Sequence, residues 1–355
     1  MKDLNELRKQ IDAIDASLLE LLNQRMQVVR EVGNLKRESS AEIYRPEREK
    51  AIIERLCQLN DGLISDRAIE AIFLELFSVS RHYELPERIA YLGPEGSFTH
   101  QAAESRYGAV SDYQPLSTIK GVVQAVETER VKFGVVPIEN NQEGTVQETI
   151  DLLGLTDVTI VAEIIQPIHF AFASASDQLS DIKVIYSKDI AFRQCKQFID
   201  DYFSDGVELI PVTSTSYASK KALGDKSSAA ICSAIAARQY GLPILYDNIE
   251  DSAGNRTRFL ILSKDFHNQP SGRDKTSVLV NLPHTPGALV DFLSRFRAAG
   301  INLSKVESRP AKQGSVFEYV FYIDFEGHMT DENVRETLKP YAGQYKWLGS
   351  YLRVE

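Results

Sequence analysis

Three kinds of hydrophobic spacing follow one another along the sequence, and they predict a multidomain fold. An all-α segment of three helices comes first, then an α/β segment built on buried sheets, then a ferredoxin-like βαββαβ unit. Steps of three and four residues govern positions 1–85. Strands alternate with helices over 87–265, and strand, helix, strand, strand, helix, strand is the order over 275–355. A chain of 355 residues is long enough for two or three separate cores.

In the first segment Leu4, Leu7, Ile11, Ile14, Leu18 and Leu21, then Val28, Val32 and Leu35, form a heptad seam on one long helix. The stretch SSAEIYRPEREK breaks it, and Pro46 suits the first turn of a second helix. A third helix follows Ser65 and Asp66 and ends near Glu84, Leu85 and Pro86. Three helices, one of them very long, cannot cover that seam, so the spacing predicts a dimer through it.

The strands of the second segment read RIAYL, KFGVVPI, IHFAFA, KVIYS, VELIPV, SAAICS and RFLIL. Runs apolar on both faces predict sheets buried on both sides. A hydrophilic link, KDFHNQPSGRDK, separates the third segment, whose elements are TSVLVNL, GALVDFLSRFRAAG, NLSKVESR, SVFEYVFYIDF, DENVRETLKPYA and QYKWLGSY.

Composition narrows the function. The formal charge of −10 argues against a nucleic-acid partner, which would want a basic stripe, but leaves small anionic ligands open. The N-terminus MKDLNELRKQIDAID is charged and amphipathic rather than signal-like, and no apolar run reaches a membrane span, so no membrane partner is expected. Cys57, Cys195 and Cys232 are far apart and odd in number, which suits a reducing cytoplasm. Neither they nor the histidines have ligand spacing, and no metal site is assigned.

Two features ask for a ligand. The seam position after Leu21 is Arg25, a charge on a buried stripe, which either fixes helix register or meets an anion. Lys36 lies within about 20° of the same face and about 16 Å further along the axis. The second feature is RIAYLGPEGSFTHQAA, a strand, a glycine turn and a helix start. No Lys-Ser/Thr follows Gly96, and Gly93 and Gly96 are spaced as GxxG, so neither nucleotide loop is present. What remains is a helix N-terminus with Ser97 and Thr99, fit for a carboxylate or phosphate, or simply a turn with Ser97 as N-cap.

Residues 1–85 resemble the all-helical chorismate mutase family, in LNELRKQIDAIDASLLELLNQR, VGNLK, PERE and SRHYE. The resemblance places Arg8, Arg25, Lys36, Arg48, Glu49, Ser80 and Glu84 at the family's substrate-binding positions. Chorismate is a dicarboxylate, which gives Arg25 a partner. Arg8 and Arg25 stand about 25 Å apart on a straight helix, so both cannot hold one small molecule from the same chain. The family resolves this with a dimer in which Arg8 serves the partner's site. The reaction is a pericyclic rearrangement, for which the pocket holds the compact diaxial conformer and stabilises charge on the ether oxygen. Lys36 and residue 84 are the family's donors there. Glu84 stands where one branch has an amide and can donate only when protonated, so mutase activity is expected to fall as pH rises through its titration. Arg45 stands where that branch has an aspartate, and it is given no catalytic role.

GPEGSFTHQAA, GVVPIENNQEGTV and NRTRF, in that order across 87–265, resemble the prephenate dehydratases. The resemblance implies two α/β lobes, as in a periplasmic binding protein, with prephenate in the cleft and Ser97 and Thr99 among its anchors. The reaction expels carbon dioxide and the ring hydroxyl, so the enzyme must help hydroxide leave and orient the departing carboxylate. The family puts Thr257 at that step with Arg258 beside it, and the resemblance of PIENN adds Glu139 and Asn140 as substrate-binding residues. Arg258 also reads as a structural ion pair and Phe259 as core. YSKDIAFRQC departs from the family's SHPQ, so no second-lobe ligand is carried over, and Lys188 is either an anion ligand or a solvated lysine.

PGALVDFL and ESRP resemble the phenylalanine-binding motifs of the ACT regulatory domain. Gly287 and Ala288 leave room at a helix start for a carboxylate, and the resemblance adds Leu289, Glu307, Ser308 and Arg309 as effector residues at a dimer interface. Together these imply a cytoplasmic homodimer or higher homo-oligomer that turns chorismate into prephenate and prephenate into phenylpyruvate, under feedback by phenylalanine, with no cofactor. The order is itself an argument, since the product of the first domain is the substrate of the second. The alternatives are a ligand sensor with inactive catalytic sites, and an enzyme with one live activity whose helices only dimerise.

Overall fold

The computed structural model describes residues 3–39, 46–84, 88–204, 206–310 and 319–354. They belong to two compact units, residues 1–87 with 107–112, and residues 88–106 with 113–355.

The helical unit consists of α1 (Leu4–Ser39), α2 (Pro46–Leu59) and α3 (Asp66–Glu84). Pro46 opens α2, where its missing N–H would have had no partner anyway. The Ser65 hydroxyl accepts from Ala68 N at the start of α3, and Asp66 stands at the positive end of that helix. Helix α3 buries Ile69, Phe77, Ser78, Ser80 and Arg81. The seam of α1 behaves differently. Its nine apolar side chains, Leu4 to Leu35, are between 38% and 65% exposed within the protomer.

The second unit begins with β1 (Arg88–Leu92), α4 (Phe98–Tyr107), β2 (Asp112–Leu116), α5 (Ile119–Glu127), β3 (Phe133–Asn140), β4 (Gly144–Thr145), α6 (Gln147–Leu155) and β5 (Thr159–Pro167). The chain then crosses to β6 (Ala171–Ser174), β7 (Val184–Ser187), α7 (Asp189–Gln194), α8 (Lys196–Tyr202), β8 (Glu208–Pro211), α9 (Thr215–Ala222), β9 (Ser228–Cys232), α10 (Ala234–Tyr240) and β10 (Ile244–Tyr246). It returns through β11 (Arg256–Ser263) and finishes with β12 (Asp274–Asn281), α11 (Ala288–Ala298), β13 (Leu303–Pro310), β14 (Tyr319–Glu326), α12 (Glu332–Leu338) and β15 (Tyr345–Leu352).

These strands make three sheets. The first runs β2-β1-β3-β11-β5 with β4 on β3, the second β10-β6-β9-β7-β8, and the third β13-β14-β12-β15. The two chain crossings between the first and second sheets touch, Ile168 N donating to Asn255 O at 2.9 Å. The second sheet packs through small residues, Ala173, Ala218, Ala222, Ala230, Ala236 and Ala237, which let its helices lie close.

The third sheet has both faces covered along its inner strands, while the edge strand β13 leaves Ser304, Val306 and Ser308 exposed. Helices α11 and α12 close one face through Phe292, Phe296, Val334 and Leu338. On the other face Tyr322, Leu348 and Tyr351 enter the core of the first sheet beside Val136, Ile160 and Leu260. At Gly349 the approach is backbone to backbone, since a Cβ there would stand 2.1 Å from Ile160 O. The link between the two sheets is anchored too. Asn268 Nδ2 donates to Val161 O at 2.8 Å and to Ser350 O at 2.9 Å. Strand β5 is absent from the strands read in the sequence. Glu163 interrupts its apolar run, yet is buried in it. Among the described residues no helix is long and apolar enough to cross a membrane.

Candidate active sites

In the helical unit the half-buried Arg25 donates from Nη1 to Ser80 Oγ at 2.6 Å and lies 5.9 Å from the Phe77 ring centroid. Ser80 gives its own proton to Leu76 O at 2.6 Å, which turns its lone pairs toward the guanidinium. Glu49 is bonded by Arg81, whose Nη2 donates to Tyr107 O at 2.9 Å. Arg81 lies inside SRHYE but was not singled out from the sequence. Arg8 and Arg48 are exposed. The side chains of Lys36 and Glu84, and the whole of Arg45, lie outside the described residues.

In the second unit β3 and β11 run antiparallel and bring PIENN onto NRTRF, with Thr257 opposite Asn140 and Arg258 opposite Glu139. Past that pair the register slips by one residue at Ile138, a bulge of the kind that re-aims side chains beside a site. Asn140 Nδ2 donates to Thr257 Oγ1 at 2.8 Å and to Asn255 Oδ1 at 2.9 Å. Its Oδ1 accepts from Gln142 N at 2.9 Å and Glu143 N at 3.0 Å, so the amide is held at both ends. Asn255 Nδ2 reaches Gln194 Oε1 at 3.2 Å, at the end of α7, and Gln194 Nε2 donates to Gln142 Oε1 at 2.6 Å. A relay of amides from both sheets therefore ends on one hydroxyl. Asn140 donates to the Thr257 oxygen, and no acceptor among the described residues takes the hydroxyl proton, which is left for a ligand. Sequence reading missed Asn255, although it opens the quoted NRTRF, and Gln194, which falls in the segment that departs from the family pattern. Asn141 is structural, accepting from Arg256 N at 3.0 Å. Lys188 is exposed.

The glycine turn is a stitch rather than an open cradle. Gly96 N donates to His100 Nδ1 at 3.1 Å, and Ser97 Oγ accepts from His100 N at 3.2 Å while donating to Leu92 O at 3.0 Å. Burial lowers the pKa of His100, against a weaker opposing effect of Glu95, which favours the neutral ring that can accept from Gly96 N. Ser216 and Ser233, on the helices of the second sheet, donate to the carbonyls of Glu95 and Gly96. Gly96 has φ +74°, and a Cβ there would stand 2.8 Å from Ala236 Cα. Ser97, expected to present its hydroxyl to an anion, thus has that proton on Leu92 O and matches the N-cap alternative. Thr99 is buried nearby.

Arg258 faces away from Thr257, as adjacent strand residues must. Its Nε meets Glu163 Oε2 at 2.7 Å, Nη1 meets Asp324 Oδ2 at 2.7 Å, and Nη2 donates to Tyr351 OH at 3.0 Å. Lys275 Nζ completes the cluster at 2.7 Å from Glu163. Burial opposes the charge on Arg258, but Tyr351, Asp324, Tyr322 and Glu163 outweigh it and raise its pKa. These contacts fit the structural ion pair that the sequence also allowed for Arg258. Glu139 shares that face. Its carboxylate meets Lys305 Nζ at 2.8 Å and Arg258 Nη1 at 4.0 Å.

In the third sheet's domain Gly287, with φ +89°, precedes α11, and Ala288 and Leu289 line a cavity of about 450 Å³ with His284, Thr285, Tyr319 and Gln344. Glu307 and Arg309 do not line it. Glu307 accepts from Thr145 Oγ1 at 3.1 Å and Arg309 bonds Asp151 at 3.0 Å, both across to the first sheet's elements, while Ser308 between them is exposed. Of the three residues expected to hold an effector, Glu307 and Arg309 are thus bonded within the protomer to Thr145 and Asp151, and Ser308 is open.

Helices with a half-buried cation–hydroxyl pair, two sheets meeting near one hydroxyl, and a third sheet packed on the first describe a multidomain chain with small-molecule sites. Residues 7–85 match the family model for chorismate mutase type II, residues 89–267 that for prephenate dehydratase, and residues 276–343 that for the ACT domain. The bifunctional chorismate mutase/prephenate dehydratase of Aquifex aeolicus is 41% identical over 359 positions, covering 99% of this chain and 98% of that protein. Its namesake from Pseudomonas aeruginosa is 36% identical, covering 98% and 97%. The chain belongs to the bifunctional chorismate mutase/prephenate dehydratase family. Among solved structures, the prephenate dehydratase of Arthrobacter aurescens in complex with L-Phe matches with a TM-score of 0.68 and 34% identity, over 75% of this chain and 90% of that one.

Proposed function

We propose that the chain rearranges chorismate to prephenate in a helical domain, residues 1–85, and converts prephenate to phenylpyruvate in a dehydratase domain, residues 87–265. A ferredoxin-like ACT domain, residues 275–355, binds phenylalanine and restrains the second step. The observation that carries the dehydratase reading is the Thr257 hydroxyl, with its oxygen held by Asn140 and its proton unclaimed.

The first and second sheets act as two lobes, with prephenate between them near Thr257. The bond to the departing carboxylate breaks, and its electron pair enters the ring as the bond to the hydroxyl breaks. The leaving hydroxide takes one proton from solvent and departs as water, and carbon dioxide leaves with no further proton transfer. Thr257 donates a hydrogen bond to the leaving oxygen, and Asn140 offsets the charge that this draws onto Oγ1. Thr99 serves as the first lobe's hydroxyl.

In the mutase, Arg25 and Ser80 hold one end of chorismate. Arg48, Glu49, Lys36 and Glu84 complete the site, and Arg8 enters from the other subunit of a dimer closed along the α1 seam. Phenylalanine occupies the cavity beside Gly287, Ala288 and Leu289. The free thiols of Cys57, Cys195 and Cys232 suit a cytoplasmic location. Purified protein given chorismate tests the reading. Prephenate should appear first and phenylpyruvate follow, and millimolar phenylalanine should slow only the second. Untouched chorismate would remove the mutase assignment, and prephenate that accumulates without phenylpyruvate would remove the dehydratase one.

A further inference from the structure

We propose that Lys305 and Glu139 form a positioning pair for the dehydratase reaction, by which a strand of the regulatory domain holds the hairpin that clamps Asn140. The proposal rests on the reading of Thr257 and Asn140 as the dehydratase centre.

Glu139 and Asn140 are neighbours on β3, so their side chains leave opposite faces of the sheet. Asn140 goes to Thr257 and Glu139 goes to the regulatory side. There Lys305 Nζ lies 2.8 Å from Glu139 Oε2 and 3.2 Å from Thr145 Oγ1. Glu139 and Thr145 are paired residues of the β3–β4 hairpin, so one ammonium ties both of its strands at the base. The loop of that hairpin supplies the two N–H groups, from Gln142 and Glu143, that fix the Asn140 amide oxygen. The side chain of Lys305 is 10% exposed, so its charge has lost most of its water and depends on these partners.

The neighbours of Lys305 act in the same direction. Lys305, Glu307 and Arg309 are alternate residues of β13 and share one face. Glu307 takes the Thr145 proton, and Arg309 holds Asp151 on α6, the helix that follows the hairpin. Without Lys305 the hairpin base loosens, Asn140 moves off Thr257, and turnover falls while affinity for prephenate is kept. A Glu139 that bound prephenate directly would behave otherwise, because its loss would weaken affinity whether or not Lys305 was present.

The test uses the full chain and measures kcat and KM for prephenate, with chorismate turnover as an internal reference. Lys305→Met and Glu139→Gln should each lower dehydratase kcat on the order of tenfold, with KM within about twofold. The double variant should be no worse than the poorer single one, Lys305→Arg should restore most of the turnover, and the mutase rate should not change. A raised KM in Glu139→Gln with a silent Lys305→Met would make Glu139 a substrate ligand and overturn the proposal, leaving the dehydratase centre intact. Equal losses in Lys305→Met and Lys305→Arg, or additive losses in the double variant, would also overturn it. Thr257→Val in the same assay checks the foundation. Full turnover there would sink the assignment of the centre itself, and the proposal with it.

Discussion

The helical unit and the unit formed by the three sheets solve the same problem in opposite ways. The first leaves nine apolar side chains of α1 uncovered within the protomer, and its seam cation sits against a hydroxyl. The second covers both faces of the inner strands of its third sheet and pairs charges internally, Arg258 between Glu163 and Asp324 being the example. An unfinished surface advertises its functional residues as violations of a pattern. A finished one hides them, because a buried arginine in a wall between domains looks in sequence like a catalytic one.

The contrast can be broken or sharpened by substitution. The largest effects should come from a crossed pair. Thr257→Val should cut phenylpyruvate formation about a hundredfold or more and spare the mutase, while Arg25→Ala does the reverse when prephenate is supplied. Loss of both activities in either variant would mean that the two units do not work independently. Next comes the seam. Leu18→Asp places a charge on the apolar stripe and should shift the protein to a smaller species in sedimentation, with mutase activity falling alongside because Arg8 is then missing from the neighbouring site. Unchanged association would show that the stripe is not an interface.

Smaller effects are expected from the closed unit. Gly349→Ala forces a Cβ against Ile160 O and should cost about 1–3 kcal/mol of stability, read as a lower melting temperature with mutase activity retained. Smallest of all, Ser97→Ala should remove a cap worth about 1 kcal/mol and leave KM for prephenate unchanged. A KM raised tenfold would instead return Ser97 to the substrate.

What could be read in advance followed from periodicity. The heptad of α1, the proline at the start of α2 and the βαββαβ order of the last segment each repeat a simple spacing, and the structure keeps them. Strand β5 could not be read, because its central Glu163 looks like a surface residue until Arg258 and Lys275 are seen against it. Thr257 and Asn140 came from their motifs, but their direct bond is a product of sheet pairing, which sequence spacing does not encode. Gln194 came from neither, since it reaches the centre from the other sheet. One signal was available and unused. Lys305, Glu307 and Arg309 alternate in sign and position, which marks a strand face that docks on something charged.

Strand β11 carries Thr257 on one side and Arg258 on the other. The face proposed for chemistry and the face bonded to the third sheet are therefore separated by a single step of the backbone, about 3.8 Å. On the proposed reading, a ligand held by the one face and a contact made by the other bear on the same strand, with no chain of intermediary side chains between them.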